Sequence, residues 1–147
     1  MFREILMEDV PAMDGAVELI DDLRRAGFGL AVATSGLPED VTLILDRLGR
    51  RNAFDAVVDR SYITRSKPDP QVFQIAAAYL GVALAHCAVI EDAPAGIAAA
   101  RAAEMACIGI VSTGRTAEQL AAADLVVASL RQLSPAIITG LIDGKRG

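Results

Sequence analysis

At 147 residues the chain has the length of one domain, and 53% apolar against 22% charged residues excludes a disordered polymer. A net charge of −5 excludes the basic face that nucleic acid requires, so an anion must be handled locally by helix N-termini, a lysine or a metal. Aromatic residues make up only 4%, so the core must be built from Ala, Val, Leu and Ile.

Met1 to Asp9 carries acids where a secretory signal would need an apolar core. No apolar run approaches the ~20 residues of a membrane-spanning helix, so the expectation is a cytoplasmic domain without a membrane partner. Asp14 to Ala26 is amphipathic, with Val17, Leu19, Ile20 and Leu23 on one side and Asp21, Asp22, Arg24 and Arg25 on the other. Gly27 stops that helix. Phe28 to Ala33 is a short apolar run expected to be a buried strand. Thr34-Ser35-Gly36 is a turn, and Pro38 opens a helix to Leu48 with Glu39 and Asp40 in its first turn. Phe54 to Val58 is a second strand.

Ser66-Lys67-Pro68-Asp69-Pro70 is a loop before a helix from Pro70 to Leu80, with Asp69 placed to cap it and Gly81 to end it. Cys87 to Ile90 is a third strand, followed directly by Glu91 and Asp92. Pro94 to Met105 is an Ala-rich helix and Ala106 to Val111 a fourth strand. Thr116 to Ala122 is helical, Leu125 to Ala128 is a short strand, and Pro135 to Ile142 is a last helix. Cys87 and Cys107 lie in or beside apolar runs with no C-x-x-C spacing, so they are expected to be reduced core residues.

Strands alternating with helices predict a three-layer α/β sandwich with a parallel, Rossmann-like sheet. Ligands in such sheets bind beyond the carboxyl ends of the strands. Thr34 and Ser35 follow one strand, and Glu91 and Asp92 follow another, so both groups fall on that rim. Lys67, in a loop before a helix, can face it.

Each group has an ordinary alternative. Thr34-Ser35-Gly36 offers a hydroxyl and backbone N–H groups suited to a phosphate, but the same residues make a plain turn. Lys67 can neutralise an anion, or be a solvated loop lysine. Glu91 and Asp92 carry the strongest signal. Burying two adjacent acids is costly without a partner, and a hard cation such as Mg²⁺ offsets that cost. The alternative is that Asp92 caps the following helix. His86, the single histidine, precedes a strand on the side away from the rim. The absence of G-x-G-x-x-G and G-x-S-x-G weakens dinucleotide-binding and serine-hydrolase readings. A receiver-type signalling domain would use Asp59 as acceptor, but lacks an acidic pair after a first strand.

In order, these groups resemble the haloacid dehalogenase superfamily, nearest its β-phosphoglucomutase-like subgroup. "AVATSG" resembles the family's second motif, "KPDPQVF" its third and "VIEDAPAGIAAARAAEM" its fourth. "PAMDGAVELIDDLRRAGF" resembles the segment leading into the second. The similarity spans about Val10 to Ser129. It implies a Mg²⁺-dependent phosphohydrolase or sugar-phosphate mutase acting on a small phosphorylated metabolite through an aspartyl-phosphate. Thr34 would bind the transferring phosphate through its hydroxyl and Ser35 through its backbone N–H. Lys67 would bridge phosphate and nucleophile, and Asp92 with Glu91 would hold Mg²⁺. Ser66, Ala93 and Glu104 depart from the family's Gly, Ser and Gly. Glu104 would strain a left-handed C-cap by ~1 kcal/mol.

The family's first motif, an apolar strand ending in Asp-x-Asp, has no counterpart, because no Asp-x-Asp occurs in the chain. Asp9 and Asp14 follow no buried strand. The resemblance therefore implies that residues 1–13 are the remnant of a cap or linker helix, and that 14–147 form an incomplete core missing its central first strand. The chain would be inactive by itself, either a truncated enzyme or a non-catalytic module that binds an anion or another chain. The vacant strand position would be closed by direct pairing of its neighbours, by a homo-oligomer swapping a strand, or by a longer protein. Arg3 to Met7 is expected to be helical.

Overall fold

The computed structural model describes residues 4–7, 13–112 and 114–146, with residues 4–7 and 146 described by their backbone alone. Six strands form one sheet: β1 (Glu4–Met7), β2 (Gly29–Ala33), β3 (Ala56–Val58), β4 (Cys87–Glu91), β5 (Ala106–Ile110) and β6 (Leu125–Val127). Their order is β3-β2-β1-β4-β5-β6 and every pairing is parallel. The helices are α1 (Ala16–Arg25), α2 (Pro38–Leu48), α3 (Gln71–Leu80), α4 (Pro94–Ala102) and α5 (Pro135–Arg146).

Alternation along the strands sorts the core into two layers. Leu30, Ala88, Ile90, Ala106, Ile108 and Ile110 pack against Leu19, Ile20 and Leu23 of α1 and Ile138 and Ile142 of α5. Val32 meets Val41 and Leu45 of α2 on the same face. Ala31, Ala33, Cys87, Val89 and Cys107 face α3 and α4. Both faces of the sheet are covered, which is why its strands read as continuous apolar runs. The expected three-layer sandwich is the observed one, with Phe28 and Phe73 as its buried aromatics. Cys87 and Cys107 are free and buried. No helix among the described residues is long and apolar enough to cross a membrane.

The centre of the sheet differs from expectation. Glu4–Met7 is a strand, not a helical turn, and it occupies the position expected to be vacant. Ile5 is in register with Leu30 on one side and Ala88 on the other, and Met7 with Val32 and Ile90. Four residues suffice because both neighbours supply a backbone ladder, which satisfies N–H and C=O groups that would otherwise be buried unpaired. Direct closure of β2 on β4, or a strand donated by another copy, is therefore not needed. The remaining differences lie at element ends. The expected helix from Thr116 to Ala122 is a single 3₁₀ turn at Glu118–Leu120, and the Ala-rich helix ends at Ala102.

Two aspartates tie the edge strands by one device. The Asp55 N–H donates to the Leu30 carbonyl at 2.7 Å, while Asp55 Oδ2 accepts from the Leu30 N–H at 2.9 Å. Asp124 does the same with Cys107, at 2.8 Å in each direction. In each case the carboxylate continues the ladder just before a three-residue edge strand begins.

Candidate active site

The chain proceeds outward from β1 to β2 and β3 on one side, and through β4 to β5 and β6 on the other. Strand order therefore reverses between β1 and β4, and the carboxyl ends of the strands there border the crevice where such sheets bind ligands. The predicted residues arrive at this point from three directions.

Thr34 follows β2 and is 3% exposed. Its N–H donates to the Val58 carbonyl at 2.9 Å, extending the ladder with β3, and its Oγ1 accepts from the Gly36 N–H at 2.9 Å. The Gly36 carbonyl accepts in turn from the Arg60 N–H at 3.0 Å. These bonds fix the turn on the rim, with Ser35 exposed at its tip. The helix that follows has Leu37 at its N-cap without a side-chain cap.

Among the described residues, Lys67 is held by its loop, by Glu91 and by Phe73. Gln71 Oε1 accepts from the Thr64 and Arg65 N–H groups at 2.7 and 2.8 Å, and Gln71 Nε2 donates to Thr64 Oγ1 at 2.9 Å. Asp69 Oδ1 accepts from the Gln71 N–H at 2.9 Å. Asp69 thus binds the start of α3 as expected, although the N-cap itself is Pro70. Within this frame the Lys67–Pro68 peptide is cis. Lys67 Nζ lies 3.0 Å from Oε2 of Glu91 and 5.0 Å from the centroid of the Phe73 ring, a cation–π contact.

Glu91 is the last residue of β4 and is 1% exposed. It shares a face with Cys87 and Val89, so its side chain enters the α3–α4 layer. Its Oε1 accepts from the N–H groups of Asp92 and Ala93 at 3.0 and 3.2 Å. Asp92 is half-buried and does not cap the next helix: the N-cap of α4 is Ala93, with no side-chain cap bond. Helix capping therefore does not account for Asp92.

Lys67, Glu91 and Asp92 are brought together, while Thr34 and Ser35 stand across the end of β1. Two strand spacings separate the ends of β2 and β4, ~10 Å. Among the described residues no group of three His, Cys, Asp or Glu gathers into a metal centre. Two adjacent acids fit Mg²⁺ only as part of a shell that waters and a substrate phosphate would complete, which is how this ion is commonly held.

Other polar residues fall elsewhere. Asp14 pairs with Arg131 through two bonds of 3.1 and 3.0 Å, and that guanidinium holds its carboxyl below the usual carboxylate range. Asp9 lies outside the described residues, but the expectation that it follows no strand does not hold, because β1 ends at Met7, two positions before it. Asp59 is buried on the rim but spends Oδ1 on the Ser61 N–H and hydroxyl. His86 sits in a 3₁₀ turn before β4, away from the rim as expected. A cleft of about 490 Å³ lies beyond β5 and β6, lined in part by Met13, Ser112 and Ser129, and contains none of Thr34, Lys67, Glu91 or Asp92. Sequence reasoning missed Gln71, whose one legible signal is its place directly after Asp69-Pro70.

An open parallel sheet covered by helices on both faces, with a buried lysine–carboxylate pair at its switch point, defines a Rossmann-like α/β domain. The chain belongs to the haloacid dehalogenase-like hydrolases, whose family model matches residues 2–104. It is 36% identical over 130 residues to the validoxylamine A 7'-phosphate phosphatase of Streptomyces hygroscopicus subsp. limoneus, covering 86% of this chain and 61% of that protein. It is 35% identical over 134 residues to the β-phosphoglucomutase of Bacillus subtilis (strain 168), covering 91% and 56%. The crystal structure of a β-phosphoglucomutase from Clostridium difficile superposes with a TM-score of 0.80 at 29% identity, covering 90% of this chain and 56% of that one. These likenesses place the chain in the phosphoglucomutase-like subgroup, and it spans roughly three fifths of the length of these relatives.

Proposed function

We propose that this chain carries the phosphate- and Mg²⁺-binding part of a phosphohydrolase or sugar-phosphate mutase whose substrate is a small phosphorylated metabolite. The observation that carries the reading is the buried pair of Lys67 and Glu91 at 3.0 Å, with Asp92 beside it uncommitted to helix capping. Lys67 would bind the phosphate and balance nearby carboxylate charge. Thr34 and Ser35 would receive the phosphate from the other side of β1. Asp92 would be the first contact of a Mg²⁺ ion, with Glu91 behind it. When bound, that ion would supply positive charge to the transferring phosphoryl group. The relatives named as a phosphatase and a phosphoglucomutase support the substrate class.

Turnover would pass through an aspartyl-phosphate, and the chain has no Asp-x-Asp to form one. The expected result is no Mg²⁺-dependent hydrolysis of p-nitrophenyl phosphate by this chain, since removing a nucleophile costs on the order of 10⁶ in rate. Turnover that Asp92→Asn abolishes would overturn this expectation. Calorimetry with phosphate and Mg²⁺ should show weak binding that Lys67→Ala eliminates.

A second reading, a non-catalytic module, draws support from the strand at Glu4–Met7, which completes the sheet and is followed in sequence by Glu8-Asp9 and not by Asp-x-Asp. It gains if phosphate and Mg²⁺ do not bind at all.

A further inference from the structure

We infer that Gly96 is a positioning residue for the site, because its missing side chain is the space that Glu91 occupies. A Cβ built on Gly96 would stand 2.0 Å from both Cδ and Oε2 of Glu91 and 2.3 Å from its Cγ. No real contact is that short, so the first turn of α4 and the Glu91 carboxylate share one volume. Gly96 lies within α4, where glycine is a poorer helix former than alanine. Its presence in an otherwise Ala-rich helix is explained by this contact and by no feature of the helix itself.

The Glu91 carboxylate is the link between α4 and Lys67. Oε2, one of the two atoms nearest the absent Cβ, is also the atom that accepts from Lys67 Nζ, while Oε1 accepts from the Asp92 and Ala93 N–H groups. Glu91 is 1% exposed and so has little open space into which to retreat. An added methyl at position 96 therefore displaces the carboxylate from Lys67 or from the N–H groups that fix it. Gly96 acts through Glu91. The functional meaning of the inference rests on the Lys67–Glu91 reading above, and its geometric content does not.

Selective acylation reads this out in the full chain. Lys67 and Lys145 are the two lysines of the sequence, so a short pulse of acetic anhydride followed by mass spectrometry measures one against the other. Gly96→Ala is expected to raise Lys67 acetylation roughly tenfold, as the loss of a charge-assisted hydrogen bond implies, with Lys145 unchanged. In a Glu91→Ala background the same substitution should add nothing, because the atoms it would strike are gone. As a second measurement, urea unfolding should show that Gly96→Ala destabilises the parent chain but not a Lys67→Met/Glu91→Ala chain. Unchanged Lys67 reactivity, equal effects with and without Glu91, or equal exposure of both lysines would each overturn the inference. Phosphate and Mg²⁺ binding is measured separately by calorimetry, so failure of the functional reading is distinguishable from failure here.

Discussion

Lys67 and Glu91 pair at 3.0 Å with 10% and 1% of their side chains exposed. The next most sheltered ion pair among the described residues, Lys145 with Asp124, leaves 35% and 22% exposed. A buried pair adds little net stability, because desolvation offsets attraction, but breaking one half is severe. Lys67→Met is expected to destabilise the chain by about 3–5 kcal/mol, since Glu91 is then left buried without its cation. Lys67→Met/Glu91→Gln should recover much of that loss. Urea unfolding of the single and double variants measures the coupling, and additive effects would mean that the pair is not a unit.

Glu104 has φ of 60°, the left-handed region that disfavours side chains. It ends α4 in a Schellman motif. The Met105 N–H reaches the Ala100 carbonyl at 3.1 Å and the Glu104 N–H reaches the Arg101 carbonyl at 2.9 Å. The Glu104 side chain is exposed, so its removal sacrifices no packing. Glu104→Gly is expected to stabilise by ~1 kcal/mol, or roughly 2–4 °C in Tm for a chain of this length. A fall in Tm on calorimetry would contradict the strain at this position.

How much of this was legible in the sequence depends on the range of the interaction. The strands beginning near Gly29, Cys87 and Ala106 are apolar runs bounded by turns, so their existence and rim followed directly. Lys67, Glu91 and Asp92 stood out because charges at such boundaries need partners. Glu4–Met7 did not read as a strand. Three apolar residues between Glu4 and Glu8 have no usable period, and only the ladders to β2 and β4, more than twenty residues away, decide their state. Asp55, Asp124 and Gln71 look like ordinary polar residues, since the backbone groups they serve belong to other segments or to a particular loop path. Gly96 was visible as part of a Gly- and Ala-rich helix, but the carboxylate against it is a tertiary contact.

The central placement of β1 has a direct consequence for hydrogen exchange. A strand paired in parallel on both sides commits its backbone N–H groups to two neighbours. The amides of Ile5, Leu6 and Met7 are therefore expected to exchange as slowly as those of Leu30 to Val32 in β2, opening only near global unfolding. Exchange at the rate of a frayed terminus would show that β1 does not hold the centre of the sheet in solution. Leu6→Pro, which removes one donor from the ladder, should lower stability sharply for the same reason.

Cys107 links the core to the alkaline limit of stability. It is 0% exposed on β5, and burial pushes its thiol from 9.0 up to about 12, with the charges of Glu91 and Asp124 adding to the shift. The folded state therefore keeps a proton that the unfolded chain releases above pH 9. The stability this contributes is fully present below pH 9 and is lost as pH rises toward 12. Each pH unit within that window should cost about 1.4 kcal/mol. Cys107→Ala removes the titrating group, so urea unfolding from pH 8 to pH 10.5 should show a shallower alkaline decline for the variant than for the parent, as that slope predicts. Parallel pH profiles would place the alkaline loss on other groups. At neutral pH the thiol is both buried and protonated, so the folded chain should leave it unmodified by thiol reagents until it unfolds.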